Sequence, residues 1–288
     1  MKLAIGTVQF GLDYGISNTA GRTSVEEAGR ILDRARMAGI DTLDTAAAYG
    51  DSEQVLGRVG VEGWKVVSKV PPLPNDEVNG KEWVLNHVRQ SLDRLQIARL
   101  DGLLLHSAAD LLKAQGRNIA AGLREVKSEG LVGKVGYSLY SPQPLAELVK
   151  IMPPDLVQAP FNVLDQRLAK SGWLNRLAEA GAEVHVRSVF MQGLLLMGSG
   201  KRPHAFDKWH ELWQRWDAAV GGRDGAALAL CLGFVKAQPG ISRVIVGVEN
   251  QGHLEQLLAI WEKAGAFDAA GLSCDDPQLV EPSNWKLK

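Results

Sequence analysis

Cysteine is nearly absent from this sequence: Cys231 and Cys274 stand in unrelated contexts, far from any Cys-x-x-Cys spacing. That argues against a disulfide framework or a cysteine-built metal site and for a reducing compartment. His204, His210 and His253 keep no ligand spacing either, so no metal is expected. Excess charge is missing too. Lys+Arg number 32 against 33 Asp+Glu, a formal net charge of -1, which leaves no field to attract nucleic acid or an anionic membrane. No apolar run approaches the ~20 residues that span a bilayer. The apolar stretch within Met1–Gly11 is too short for a signal peptide, so the expected location is the cytoplasm. Nor does Gly6–Gly11 follow the Gly-x-Gly-x-x-Gly spacing of a phosphate turn, which disfavours a doubly wound open sheet.

What is present is a regular alternation. With 45% hydrophobic and 23% charged residues, the 288-residue chain can build a sizeable core. Strand-like runs occur at Leu3–Ile5, Ile40–Asp44, Lys65–Lys69, Leu100–His106, Lys134–Ser138, Asp155–Gln158, Glu183–Arg187 and Arg243–Gly247. Most are continuously apolar rather than alternating, as strands covered on both faces should be. Amphipathic helical segments follow them. Ser24-Val25-Glu26-Glu27 reads as a capping box ahead of Ala28, Ile31, Leu32 and Ala35 on one face, with Gly39 as the stop. Val84, Val88, Leu92 and Leu95 repeat the pattern, as do Leu254, Leu257, Leu258 and Trp261. Eight such βα units with no linker between them predict one α/β domain over residues 1–288, a closed (β/α)8 TIM barrel. Two stretches break the rhythm. Phe190–Val220, with Trp209, Trp213 and Trp216, is expected to form a loop plus an extra helix after strand seven. From about residue 265, past Cys274, Pro277 and Pro282, an irregular tail is expected.

In such a barrel the chemistry sits where strands end. The expected strand ends are Asp44, Lys69, His106, Ser138, Gln158 and Arg187, all polar on otherwise apolar strands. Each costs free energy to bury unless it finds a partner, so they should share one network. Lys69 needs a counter-ion, which Asp44 on the adjacent strand can supply. Tyr49 follows in the loop over the mouth; a nearby cation stabilises a phenolate and makes the phenol a usable proton donor. Such a phenol can protonate a carbonyl oxygen, and His106 can orient that oxygen. None of these groups carries hydride, so a cofactor must bring it.

Singly, these residues have plainer readings. Asp44 could cap a turn, Tyr49 could be a rim aromatic, and His106 a core histidine, as His87 and His185 are read to be. As an ordered set on three consecutive strands they point to function. Two rival functions use the same scaffold: a nucleotide-binding sensor with little chemistry, and a lyase or isomerase acting through a Lys69 Schiff base.

At these residues the sequence resembles the aldo-keto reductase family. Gly39-Ile40-Asp41-Thr42-Leu43-Asp44-Thr45-Ala46-Ala47-Ala48-Tyr49-Gly50, with Ser52-Glu53 and Leu56-Gly57 behind it, looks like the family's Asp–Tyr motif. Val67-Ser68-Lys69-Val70 resembles its lysine strand and Leu103-Leu104-Leu105-His106-Ser107 its histidine strand. Gly133–Ser138 and Val157–Asn162 are similar to two later strands that hold the nicotinamide, and the likeness runs from Leu3 to about Trp261. It implies reduction of an aldehyde or ketone by a tetrad of Asp44, Tyr49, Lys69 and His106, with Tyr49 as general acid. It further implies that Ser138 and Gln158 bind the nicotinamide carboxamide, that Arg187, Ser188, Gly247 and His253 line the rest of the cofactor, and that the donor is NADPH.

Three positions depart from the pattern. Leu139 stands where an asparagine is usual, and Arg187 where an aromatic stacks on the ring; a guanidinium plane can stack as well. Val246–His253 lacks the usual Lys or Arg for a 2′-phosphate and carries Glu249, which leaves NADH open beside NADPH. The partner implied is a small carbonyl compound, in a pocket expected from Val8, Gln9, Phe10, Tyr14, the loop after His106 and the Phe190–Trp216 insertion. The polarity of Gly6–Gly15 suggests a hydroxylated, sugar-like substrate; a monomer or weak homo-oligomer is expected.

Overall fold

The computed structural model describes residues 1–18, 21–75 and 78–285. Eight parallel strands close in sequence order: β1 (Leu3–Gly6), β2 (Thr42–Asp44), β3 (Lys65–Val70), β4 (Leu100–Leu105), β5 (Val132–Ser138), β6 (Leu156–Pro160), β7 (Glu183–Arg187) and β8 (Arg243–Gly247). Closure is made by β8 pairing with β1, Val246 opposite Ile5 and Gly247 opposite Gly6. The barrel helices are α1 (Val25–Met37), α2 (Ser52–Val59), α3 (Gly80–Leu95), α4 (Gly116–Ser128), α5 (Leu145–Ile151), α6 (Trp173–Glu179), α7 (Ala226–Lys236) and α8 (Gln251–Lys263). The chain is a (β/α)8 TIM barrel.

Most of the core lies between strands and helices, where Ala28, Ile31, Leu32 and Ala35 of α1 and Val84, Val88 and Leu95 of α3 are buried as their 3.6-residue spacing requires. A separate apolar cluster of Val67, Leu104 and Leu156 fills the barrel's interior. Because side chains alternate along a strand, Lys69, two positions beyond Val67, and Gln158, two beyond Leu156, point into the same interior nearer the strand ends.

Several boundaries differ from the sequence reading. Ile40 belongs to the turn that ends α1, its N–H donating to Ala35 O at 3.0 Å, so β2 starts at Thr42. His106 lies one residue past β4, with its N–H on Val70 O at 2.9 Å. Ala159 and Pro160 carry β6 beyond Gln158, and β5 begins earlier, at Val132. After β7 come two 3₁₀ segments, Met191–Leu196 and His204–Trp209, and then a helix, His210–Val220. Beyond α8 the described residues form only short turns of helix, among them Pro277–Val280. Among the described residues no helix is long and apolar enough to cross a membrane, and no group of three or more His, Cys, Asp or Glu could hold a metal ion.

Candidate active site

At the strand ends the polar side chains converge across the lumen. Lys69, 1% exposed, donates to both carboxylate oxygens of Asp44 at 2.8 Å and to the Thr45 carbonyl at 2.8 Å. From the opposite wall Gln158 Nε2 donates to Asp44 Oδ1 at 2.6 Å, although β2 and β6 are not neighbours. Burial works to lower the Lys69 pKa, but the Asp44 carboxylate and the Tyr49 phenol more than offset it, so the ammonium is held above its ordinary value. A second carboxylate anchors the same strand: Glu53 accepts from Ser68 at 2.5 Å and from Arg94 Nε at 2.7 Å.

Tyr49 rides on a tight turn after β2, its N–H on Ala46 O at 3.0 Å. Two glycines let this turn touch the first loop. A Cβ on Gly11 would collide with the Tyr49 carbonyl, and Gly50, at φ 57°, faces the Gly11 carbonyl in return. Beneath them the buried hydroxyls of Thr7, Thr45 and Ser52 interlock, Ser52 lying 2.8 Å from Thr7 and 3.1 Å from Thr45. The turn is thereby rigid, and it holds the Tyr49 ring centroid 4.9 Å from Lys69 Nζ and 5.7 Å from the His106 ring, edge to face at 84°. Burial, and then the Lys69 and Arg187 charges, push the His106 pKa down to about 4, so the imidazole is neutral at pH 7.

Arg187 ends β7 and, among the described residues, has no carboxylate acceptor: Nη2 donates to Leu139 O at 3.0 Å, Nη1 to Ser188 Oγ at 3.1 Å, and the guanidinium lies 4.7 Å over Tyr140. Ser188 adopts φ 59°, as do Met191 (47°) and Gln192 (55°) nearby, a concentration of left-handed backbone over the mouth. Ile16 N–H donates to Gln192 O at 3.1 Å and ties this loop to the first one. A cavity of about 430 Å³ runs under these loops from Tyr49, His106 and Gln158 past Arg187 to Gly247, Glu249 and His253.

A family model described as the aldo/keto reductase family matches residues 2–270. The chain belongs to that family. An uncharacterized oxidoreductase of Mycobacterium bovis is 33% identical over 147 residues, covering 49% of this chain but only 42% of its own length. D-threo-aldose 1-dehydrogenase of a Pseudomonas species is 27% identical over 288 residues, covering 85% of this chain and 87% of its own. Among solved structures, an aldo-keto reductase of Bacillus halodurans superimposes with a TM-score of 0.72 over 94% of this chain and 89% of its own, at 21% identity, a likeness of fold.

In this aldo/keto reductase barrel all four tetrad positions meet at one end of the lumen, and Ser138, Gln158, Arg187, Ser188, Gly247 and His253 line the adjoining cavity. The pocket itself differs in part from the sequence reading. Phe10 is fully buried in the core, and the turn Ala108–Leu112 after His106 packs on the loop after β3, Asp110 accepting from Leu73 N–H at 3.0 Å. Trp213 and Trp216 also face the core; Phe190, Gln192, Gly193 and Leu196 are what the insertion gives the cavity. Sequence reading missed Tyr140, two residues beyond Ser138 and so on the same rim, and it missed the Thr7–Thr45–Ser52 cluster, for which no local pattern exists. It also misjudged Glu27. Ser24 Oγ accepts from Glu27 N–H at 3.2 Å, but the Glu27 carboxylate turns away to accept from Gln251 N–H at 2.6 Å, so the box is half made.

The residues fit a nicotinamide. Gln158 Nε2 is committed to Asp44, while its Oε1 is buried with no hydrogen-bond partner among the described residues, an acceptor of the kind a carboxamide N–H satisfies.

Proposed function

We propose that this chain reduces an aldehyde or ketone to the alcohol, with hydride from a nicotinamide dinucleotide and the proton from the Tyr49 hydroxyl. The single observation behind the reading is the Lys69–Asp44–Gln158 chain, which fixes a buried ammonium beside the Tyr49 ring and a neutral His106 opposite. When bound, the dinucleotide supplies a hydride to the carbonyl carbon. Tyr49 O–H donates its proton to the carbonyl oxygen, and the phenolate left behind is stabilised by the Lys69 ammonium. His106, being neutral, can give a hydrogen bond to that oxygen without competing as an acid. Ser138 and the open Gln158 Oε1 would hold the carboxamide, with Arg187, Ser188, Gly247 and His253 along the rest of the nucleotide. The family likeness brings NADPH as the first donor, with NADH beside it.

For the substrate we favour a hydroxylated, sugar-like carbonyl compound. Gln9, Tyr14, Tyr140 and Gln192 line the cavity with hydroxyl and amide groups, and the Pseudomonas relative is by name an aldose dehydrogenase. A Schiff base at Lys69 is disfavoured, because Asp44 and the Thr45 carbonyl hold the buried amine as an ammonium, which has no lone pair for attack.

Replacing Tyr49 with Phe tests the reading. The kcat for aldehyde-dependent cofactor oxidation should fall about 10³-fold, within the range for a lost general acid, while cofactor binding is retained. Full activity in Tyr49→Phe would remove the phenol from the mechanism.

A further inference from the structure

We propose that the far end of the cavity selects a ribose diol over a 2′-phosphate, so that this chain binds NADH in preference to NADPH, with Glu249 and Glu27 as the specificity-determining residues. The proposal rests on the nicotinamide reading above. Hydride must be delivered between Tyr49 and His106, which places the nicotinamide at that end. The cavity then continues to Gly247, Glu249 and His253, where β8 hands over to α8, and the adenosine side of an extended dinucleotide reaches that end.

The start of a helix ordinarily favours an anion, because its first N–H groups are unpaired and the dipole is positive there. In α8 two of these N–H groups are already taken. Gln251 N–H donates to Glu27 Oε1 at 2.6 Å, and His253 N–H donates to the Asn250 side chain at 2.9 Å. The carboxylate of Glu27 thus stands where a bound phosphate would be stabilised, and the backbone N–H of Gln251 holds it in its charged form. Its other oxygen is taken by Arg30 Nε at 2.7 Å, so this cation is engaged as well.

Glu249 adds a second carboxylate on the cavity wall itself. Its backbone is fixed by Thr23 Oγ1, which donates to its carbonyl at 3.1 Å, and its side chain lies 3.9 Å from the His253 imidazole. Among the described residues the one Lys or Arg in that wall is Arg187, which belongs to the nicotinamide end, on Leu139 and Tyr140. Among the described residues a 2′-phosphate would therefore meet the Glu249 carboxylate on the wall, a helix start already engaged by Glu27, and no free guanidinium or ammonium. A ribose diol brings hydroxyl donors, which a carboxylate accepts.

The test is a titration of the intact chain with NADH and with NADPH, followed by quenching of tryptophan fluorescence. The expected Kd for NADH is lower by about tenfold or more, equivalent to about 1.4 kcal/mol. Glu249→Gln should narrow that ratio, Glu27→Gln should narrow it further, and Glu249→Arg should favour NADPH. Glu249 caps nothing, so its variants remain informative if Glu27→Gln loosens α8. NADPH binding as tightly as NADH, or a ratio indifferent to Glu249→Gln and Glu249→Arg, overturns this proposal alone. Binding of neither nucleotide overturns it together with the nicotinamide reading.

Discussion

Where the strands begin, Lys134 bridges Asp101 and Glu183 at 3.1 Å each, His185 reaches Glu183 at 3.4 Å, and Arg243 binds Thr42 at 3.0 Å and Asp41 at 3.4 Å. Where the strands end, Lys69 binds Asp44, Gln158 binds Asp44, and other valences are open: among the described residues Gln158 Oε1 has no partner, and Arg187 has only neutral ones. The plug of Val67, Leu104 and Leu156 lies between the two layers. Both mouths carry lysine, arginine, carboxylate and imidazole. At the lower mouth the lysine, arginine and carboxylate charges pair with one another, and among the described residues the leftover atom there is His185 Nδ1. At the upper one they leave acceptors and a cation facing a cavity, as a site awaiting ligands should.

The largest effect that sharpens this comparison is expected from the two lysines. Lys69→Met strands the Asp44 carboxylate in a nearly dry site, which should cost roughly 3–5 kcal/mol in denaturant unfolding and abolish turnover. Adding Asp44→Asn should restore much of the stability and none of the activity. Lys134→Met breaks a pair that is about a third exposed, so it should cost only about 1 kcal/mol or less and leave kcat unchanged. Equal costs at the two mouths would dissolve the distinction.

A smaller effect separates them by pH. His106 is held down to about 4 from an ordinary 6.5, so the unfolded chain takes up a proton that the native fold refuses. Stability is therefore full above 6.5 and declines as the pH falls toward about 4. Glu183 is held down to about 2 from 4.5, chiefly by its hydrogen bond with His185, so its contribution is present above 4.5 and lost as the pH falls through about 2. Urea midpoints measured across this range should flatten in the upper window in His106→Gln and in the lower window in Glu183→Gln. The same window affected by both variants would contradict the assignment.

The strand ends were readable because a buried strand leaves few reasons for Asp44, Lys69 or Gln158 to be polar. The eight-unit rhythm made the closed barrel readable as well. What the sequence hid is what closure creates. Glu27 looked like half of a local capping box, yet its partner lies 224 positions away, across the seam where β8 meets β1. The Arg187–Tyr140 stack and the inward packing of Trp216 likewise depend on which loops fold over the mouth, and no period in the chain encodes that. The end of β4 was misplaced by one residue because His106 still donates to β3 after its strand has ended.

Following the transferred atom tests the upper mouth most directly. With a reduced nicotinamide cofactor carrying deuterium at both C4 positions and an aldose or simple aldehyde as acceptor, the alcohol formed should carry deuterium on its carbinol carbon in the unaltered chain. Tyr49→Phe should form almost none of this product. An alcohol without deuterium, or labelled product formed equally well by Tyr49→Phe, would contradict the account.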